Sequence, residues 1–112
     1  MKGPHLNRRL VLETPTRQGD GAGGYQVAWT ALGEVWAEVV ARSGRENGSA
    51  GVAVSRMGYA ISLRAAPFGR AERPKPEQRF RDGDRVYSIE TVAERDPQGR
   101  YLICLAQEEL IV

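Results

Sequence analysis

The feature that most constrains this chain is a period of two that is repeatedly cut short. Tyr25, Val27 and Trp29 alternate along one run; Tyr59, Ile61, Leu63 and Ala65 stand against Ala60, Ser62 and Arg64; Val86, Ser88, Glu90 and Val92 oppose Tyr87, Ile89 and Thr91. Side chains alternating in this way face opposite sides of a β-strand. Each run stops after about ten residues or fewer at a cluster of glycine, proline or aspartate. No amphipathic helical stretch of useful length lies between them; Ala28–Glu34 and Gly44–Val52 have room for a turn or two. The pattern predicts an all-β fold, a small antiparallel barrel or sandwich of five to six strands with long protruding loops.

A chain of 112 residues is long enough for one domain with its own core. The first strand is expected over Leu6–Thr14, closed by Pro15. Loops are expected at about 15–24, 43–56 and 67–84, where glycine, proline and polar residues gather. Between the first two loops lie Tyr25–Ala31, an interruption at Leu32-Gly33, and a β-rich run from Val35 to Val40. Val52–Met57 reads either way. Asp82-Gly83-Asp84 is a turn, and Asp96-Pro97-Gln98-Gly99 has the proline and glycine of a type I hairpin turn. The returning strand, Tyr101–Ala106, is apolar on both faces, which predicts a central position. Trp36, inside a strand, is expected in the core. Trp29, beside the glycine-rich tip, suits core and interface equally.

Several chemistries are excluded by what is missing. Cys104 is the only cysteine, so no intrachain disulfide can form and a metal site would lack its usual thiolates. Its apolar run, Tyr-Leu-Ile-Cys-Leu-Ala, predicts a buried thiol rather than a reactive one. His5 is the only histidine and lies in a terminal arm, so nucleophile–histidine machinery is not expected. Gly19-Asp20-Gly21-Ala22-Gly23-Gly24 spells G-x-G-x-x-G, but the residues that follow, Tyr-Gln-Val-Ala-Trp, do not open the helix that would hold a pyrophosphate. Asp82 and Asp84 flank a turn glycine, where aspartate serves local hydrogen bonds. Asn47-Gly48-Ser49 matches a glycosylation pattern without any sign of secretion. No catalytic pair, metal or cofactor is expected. No run approaches the ~20 apolar residues of a membrane span, and Met-Lys-Gly-Pro-His lacks the apolar region of a signal peptide. The expectation is a protein of a reducing cytoplasm.

The charge is more informative in kind than in amount. Of 16 basic residues only Lys2 and Lys75 are lysines, and arginine suits bidentate contacts to carboxylates and phosphates. From Arg64 to Arg85 seven basic residues face four acidic ones, a local excess of three. Arg70, Arg73, Arg79 and Arg81 are the basic-loop candidates. They support one reading as a small barrel that binds single-stranded nucleic acid through stacking aromatics and a basic groove.

A second reading comes from the order of the motifs. An arginine-bearing first strand, Leu6–Glu13, is followed by Asp20, Gly21, Gly23, Gly24, Tyr25 and Trp29 in an Asp-Gly-x-Gly-Gly-aromatic-x-x-x-Trp pattern. Val35–Val39 gives Val-Trp-Ala-x-Val, and Ser43–Glu46 gives Ser-Gly-Arg-Glu. Gly83, Arg85, Val86, Tyr87 and Ile89 form Gly-x-Arg-Val-Tyr-x-Ile, before a terminal Asp-Pro-x-Gly-Arg-Tyr-Leu hairpin. In this order the chain resembles the phage head–tail joining family, the head-closure or stopper proteins of long-tailed phages. The last hairpin is most similar to the versions in bacterial gene transfer agents. Gly44–Ala53 departs from the family in being richer in glycine.

The resemblance implies a β-barrel subunit and a structural, non-enzymatic role. It implies a homo-oligomeric ring, a hexamer rather than a dodecamer because tails are six-fold. That ring would sit between a portal-bound adaptor and the tail terminator or tail tube, retain packaged double-stranded DNA, and dock the tail. Assembly would take place in the bacterial cytoplasm, and the finished ring would lie in the neck of the particle. Gly19–Trp29, with Asp20, Gly21, Gly23, Gly24, Tyr25 and Trp29, is the expected contact with neighbouring rings. Ser43–Arg56, with Arg45 and Arg56, is the expected lumen- and DNA-facing loop.

Overall fold

The computed structural model describes residues 3–42, 45–49 and 52–109. They form eight strands and no helix: β1 (Arg8–Gly19), β2 (Tyr25–Ala41), β3 (Arg45–Ser49), β4 (Val52–Arg56), β5 (Gly58–Arg64), β6 (Arg79–Asp82), β7 (Arg85–Glu94) and β8 (Tyr101–Glu108). Six of these, in the order β1-β2-β5-β8-β7-β6, close into an antiparallel barrel, while β3 and β4 pair only with each other. The all-β expectation and the barrel therefore hold. β8 lies between β5 and β7, the central position that its apolar character predicts.

The barrel interior is filled by one parity of each strand. Leu10 and Leu12 of β1, Ile61 and Leu63 of β5, Phe80 of β6, Tyr87 and Ile89 of β7, and Leu102 of β8 meet there, with Ala37, Cys104 and Ala106 filling the narrower places. Fully burying each of the large aliphatic or aromatic residues contributes about 1.5–3 kcal/mol. Cys104 is buried as the sequence predicts. Trp36 is not. Val35, Ala37 and Val39 face inward, and Trp36 points out with 56% of its surface exposed. A six-stranded barrel has little interior room; alanine fits where an indole would overfill it.

Three loop boundaries also change. Pro15 does not end the first strand, because β1 continues to Gly19 paired with β2 throughout. The expected loop over 43–56 contains the β3–β4 ribbon, in register from Arg45↔Arg56 to Ser49↔Val52. The loop expected over 67–84 ends at Gln78, and β6 occupies Arg79–Asp82. Leu32-Gly33 does not interrupt β2 either. The register passes from Leu12↔Gly33 to Glu13↔Ala31, so Leu32 is the extra residue of a β-bulge. Gly33 holds φ +150° there, a conformation open to glycine.

Pairing lengths decide what projects. β6 covers β1 only from Val11 to Glu13, and β5 covers β2 only from Ala37 to Ala41. Beyond these limits β1 and β2 pair only with each other, as far as Gly19↔Tyr25. Residues 14–30 thus form an arm that leaves one end of the barrel. The β3–β4 ribbon is inserted where β2 ends and β5 begins, which is the opposite end.

Candidate functional site

The arm tip is an ordered turn built on Asp20. Its Oδ1 accepts hydrogen bonds from the backbone N–H of Ala22 at 2.8 Å and of Gly24 at 3.0 Å, and its own N–H donates to the Gly24 carbonyl. Those bonds hold the Asp20 carboxyl below its usual range. Gly21 and Gly23 adopt φ +80° and +84°, so the glycines meet the demands of a tight tip. A Cβ on Gly24 would stand 2.7 Å from the Asp20 carboxylate. The tip candidates Asp20, Gly21, Gly23 and Gly24 therefore work together as one capped turn.

Below the tip the arm has two unlike faces. Residues opposite each other in an antiparallel pair share a face. Tyr25, Val27 and Trp29 lie across from Gly19, Arg17 and Pro15, while Gln26, Ala28 and Thr30 lie across from Gln18, Thr16 and Thr14. One face is apolar and the other polar. Tyr25 is 72% and Val27 59% exposed. The arm is thus an amphipathic ribbon whose apolar face lies in solvent.

Trp29, at the arm's base, is partly buried for a specific reason. The Arg79 guanidinium lies 4.0 Å from its ring centroid, and Arg79 Nε donates to Glu13 Oε1 at 2.6 Å. Both charged side chains are almost fully buried, and Arg81 approaches the other Glu13 oxygen at 3.4 Å. Arg79 and Arg81 are strand residues tied to Glu13, so they are not part of a basic loop. Arg70 and Arg73 do lie in the loop. Arg70 pairs with Glu72, and Arg73 donates to the Ala66 carbonyl and stacks on Phe68 at 3.7 Å. The four candidates do not merge into one open basic groove. Sequence reasoning passed over Phe68, which is 82% exposed. It sits second in a turn closed by Arg70 N–H to the Pro67 carbonyl, with Gly69 at φ +84°. The Pro-Phe-Gly-Arg string carried that signal.

The opposite end is organised by a charged clasp at the base of the ribbon. Arg85 forks onto Glu108 at 2.8 and 3.1 Å and also donates to the Tyr59 hydroxyl, which in turn donates to Glu108. Hydrogen bonding to Arg85 lowers the Glu108 pKa, and bonding to Glu108 raises that of Arg85. Arg8, distant in sequence, pairs with Asp82 beside the β1–β6 seam. Backbone bonds from Arg42 to Gly58 and from Glu108 to Met57 fix both ends of the ribbon insertion. Arg45 and Arg56, the DNA-facing candidates, are register partners at the ribbon's base.

Groups capable of covalent chemistry are scarce. Burial pushes the Cys104 thiol up to about 12, which leaves it without thiolate at neutral pH. Among the described residues no cluster of His, Cys, Asp and Glu could hold a metal ion.

Comparison with known proteins agrees with this architecture. A family model described as phage head completion protein matches residues 1–109. A chain in a solved structure titled "Virion of native gene transfer agent (GTA) particle" is 53% identical, with a TM-score of 0.83 over 98% of this chain and 100% of that one. No curated protein matches the chain.

Proposed function

The chain belongs to the phage head completion protein family, and from that premise we propose that it is the head-closure subunit of a tailed-phage or gene-transfer-agent particle. In this reading copies form a ring, six rather than twelve, between the portal-bound adaptor and the tail terminator. The ring holds packaged double-stranded DNA and gives the tail a docking surface. Its role is structural, in the neck of the particle, after assembly in the cytoplasm.

The observation that carries the reading is the placement of two β-ribbons at opposite ends of one closed barrel. A connector subunit must meet neighbouring protein and packaged DNA while keeping its own shape. The barrel supplies the rigidity, since closure leaves no free edge within it. The arm supplies an apolar face, and Asp20, Gly21, Gly23 and Gly24 set its tip. Tyr25 and Trp29 belong to the surface that meets neighbouring protein. Arg45 and Arg56, register partners at the ribbon's base, are the residues assigned to the DNA phosphates.

The test is assembly. Copies added to purified portal–adaptor complexes should bind as a closed ring by native mass spectrometry, and heads made without the chain should lose DNA and fail to join tails. A chain that stays monomeric on that platform and is absent from finished particles would overturn the proposal.

A further inference from the structure

The arm carries an uncovered apolar face, and another uncovered apolar feature is a slot on the flank of the same strand. Above Ala37, β2 has lost its β5 partner, and a cleft of about 310 Å³ opens between β2 and the chain that follows β5. Leu6, Val35, Trp36, Leu63, Ala65 and Ala66 line it, with Arg64 and Glu72 as its charged residues. Trp36 is 56% exposed there. Val27 and Trp36 are nine residues apart on one continuous strand, about 30 Å at the rise of a β-strand. An arm extending along that axis holds its apolar face away from the slot of its own chain.

One charged contact accompanies the shape. Arg17, across from Val27 on the arm, has no acidic partner among the described residues. Glu72 and Glu34, beside the slot, are more than half exposed and meet Arg70 and Arg9 only at 3.4 Å. A projecting apolar face whose cation has no acidic partner among the described residues, and a distant apolar slot with Glu72 beside Arg64, are arranged to meet head to tail. Repeated between identical subunits, such a heterologous contact generates a ring where the rotation closes.

We propose that the Tyr25–Val27 face of one protomer's arm seats in the slot beside Trp36 of the next copy, with Arg17 set against Glu72 of that copy. The proposal rests on the ring reading above and assigns the arm to a neighbour within the same ring rather than to the ring beyond. One arm face and one slot make a contact at the small end of specific interfaces, under about 1,200 Å² in total. Copies therefore pair when a platform gathers them and raises their effective concentration.

The experiment uses cysteine pairs in assembled particles. Cys104 is buried with its thiol pushed up to about 12, so it stays silent. A chain carrying both Val27→Cys and Ala66→Cys should give, on oxidation of purified particles, a ladder of multimers of this chain in a non-reducing gel, while either change alone gives none. As a second measurement on exposed positions, Arg17→Glu should lower incorporation about tenfold or more, and adding Glu72→Arg should restore it. Particles that contain the chain but give no ladder, or cross-links to a different particle protein, overturn this contact and leave the head-closure reading standing. Particles that form, hold DNA and join tails without the chain overturn both.

Discussion

Arg79 offers the sharpest test of how the arm is joined to the barrel. Its guanidinium is sandwiched between the Glu13 carboxylate at 2.6 Å and the Trp29 ring at 4.0 Å, and the two charged side chains are 11% and 9% exposed. Arg79→Met keeps most of the volume and removes the charge. Breaking a buried pair by deleting one partner costs about 3–5 kcal/mol, because the other charge is left desolvated. Arg81 still reaches Glu13 at 3.4 Å and offsets part of this, while the lost cation–π contact adds about 1 kcal/mol. The expected cost is about 3 kcal/mol, or on the order of 10 °C in Tm for a domain of this size. Denaturant unfolding should show a lower midpoint with an unchanged slope. Glu13→Leu in the same chain should recover most of the loss, since it removes the orphaned carboxylate. A cost under about 1 kcal/mol for Arg79→Met, or a double variant as weak as the single one, would refute the reasoning. A cost within about 0.5 kcal/mol would instead mark Arg79 as a surface group, free to serve the nucleic-acid groove that the sequence alone suggests.

Tyr87→Phe should change stability by less than about 1 kcal/mol, because the buried Tyr87 hydroxyl makes no well-formed hydrogen bond and has only a weak contact with the Arg8 side chain; a measured loss above about 1 kcal/mol would show that the hydroxyl is firmly paired in solution. The Cys104 thiol should resist a thiol-specific reagent at pH 8 in the native protein and react fully in denaturant; reaction at native rates typical of a free cysteine would contradict its burial. The Asp20 carboxyl, held below its unfolded value of about 3.9 by the Ala22 and Gly24 amides, stabilises the tip above that pH and loses its effect as pH falls through the depressed value. Protection of the Ala22 and Gly24 amides, relative to their intrinsic exchange at each pH, should therefore fall only below about pH 4; Asp20→Asn should abolish that pH dependence, and a loss of protection already near pH 6 would count against the capped turn.

Periodicity made the strands legible, and it failed where periodicity carries no sign. On β2 both parities are apolar, Val35, Ala37 and Val39 on one side and Trp36 and Val40 on the other. Alternation alone cannot say which enters the core. Barrel volume decides it, and volume depends on how many strands close the ring. The β3–β4 ribbon escaped for a related reason: Arg45–Ser49 is polar throughout, and its pairing rests on backbone hydrogen bonds that no hydrophobic pattern announces. Pro15 misled in the opposite direction. The Asp20–Gly24 pair is hydrogen-bonded at the tip, and alternation along an antiparallel ladder makes Pro15↔Trp29 a pair whose N–H groups point outward. A proline there gives up no ladder bond.

That same alternation explains why the arm stays separate in one chain. At Pro15 the outer edge of β1 lacks one donor, which weakens edge-to-edge pairing at the arm's base, while Arg17 and Gly19 keep theirs. The opposite edge of β2 keeps its outward amides at Tyr25, Val27 and Trp29, the residues whose side chains form the apolar face. The backbone thus leaves the β2 edge of the arm with one more free donor than the β1 edge. A contact that uses this edge and the apolar face is directional, and repeated between identical subunits it gives a ring where the rotation closes, not a two-fold dimer.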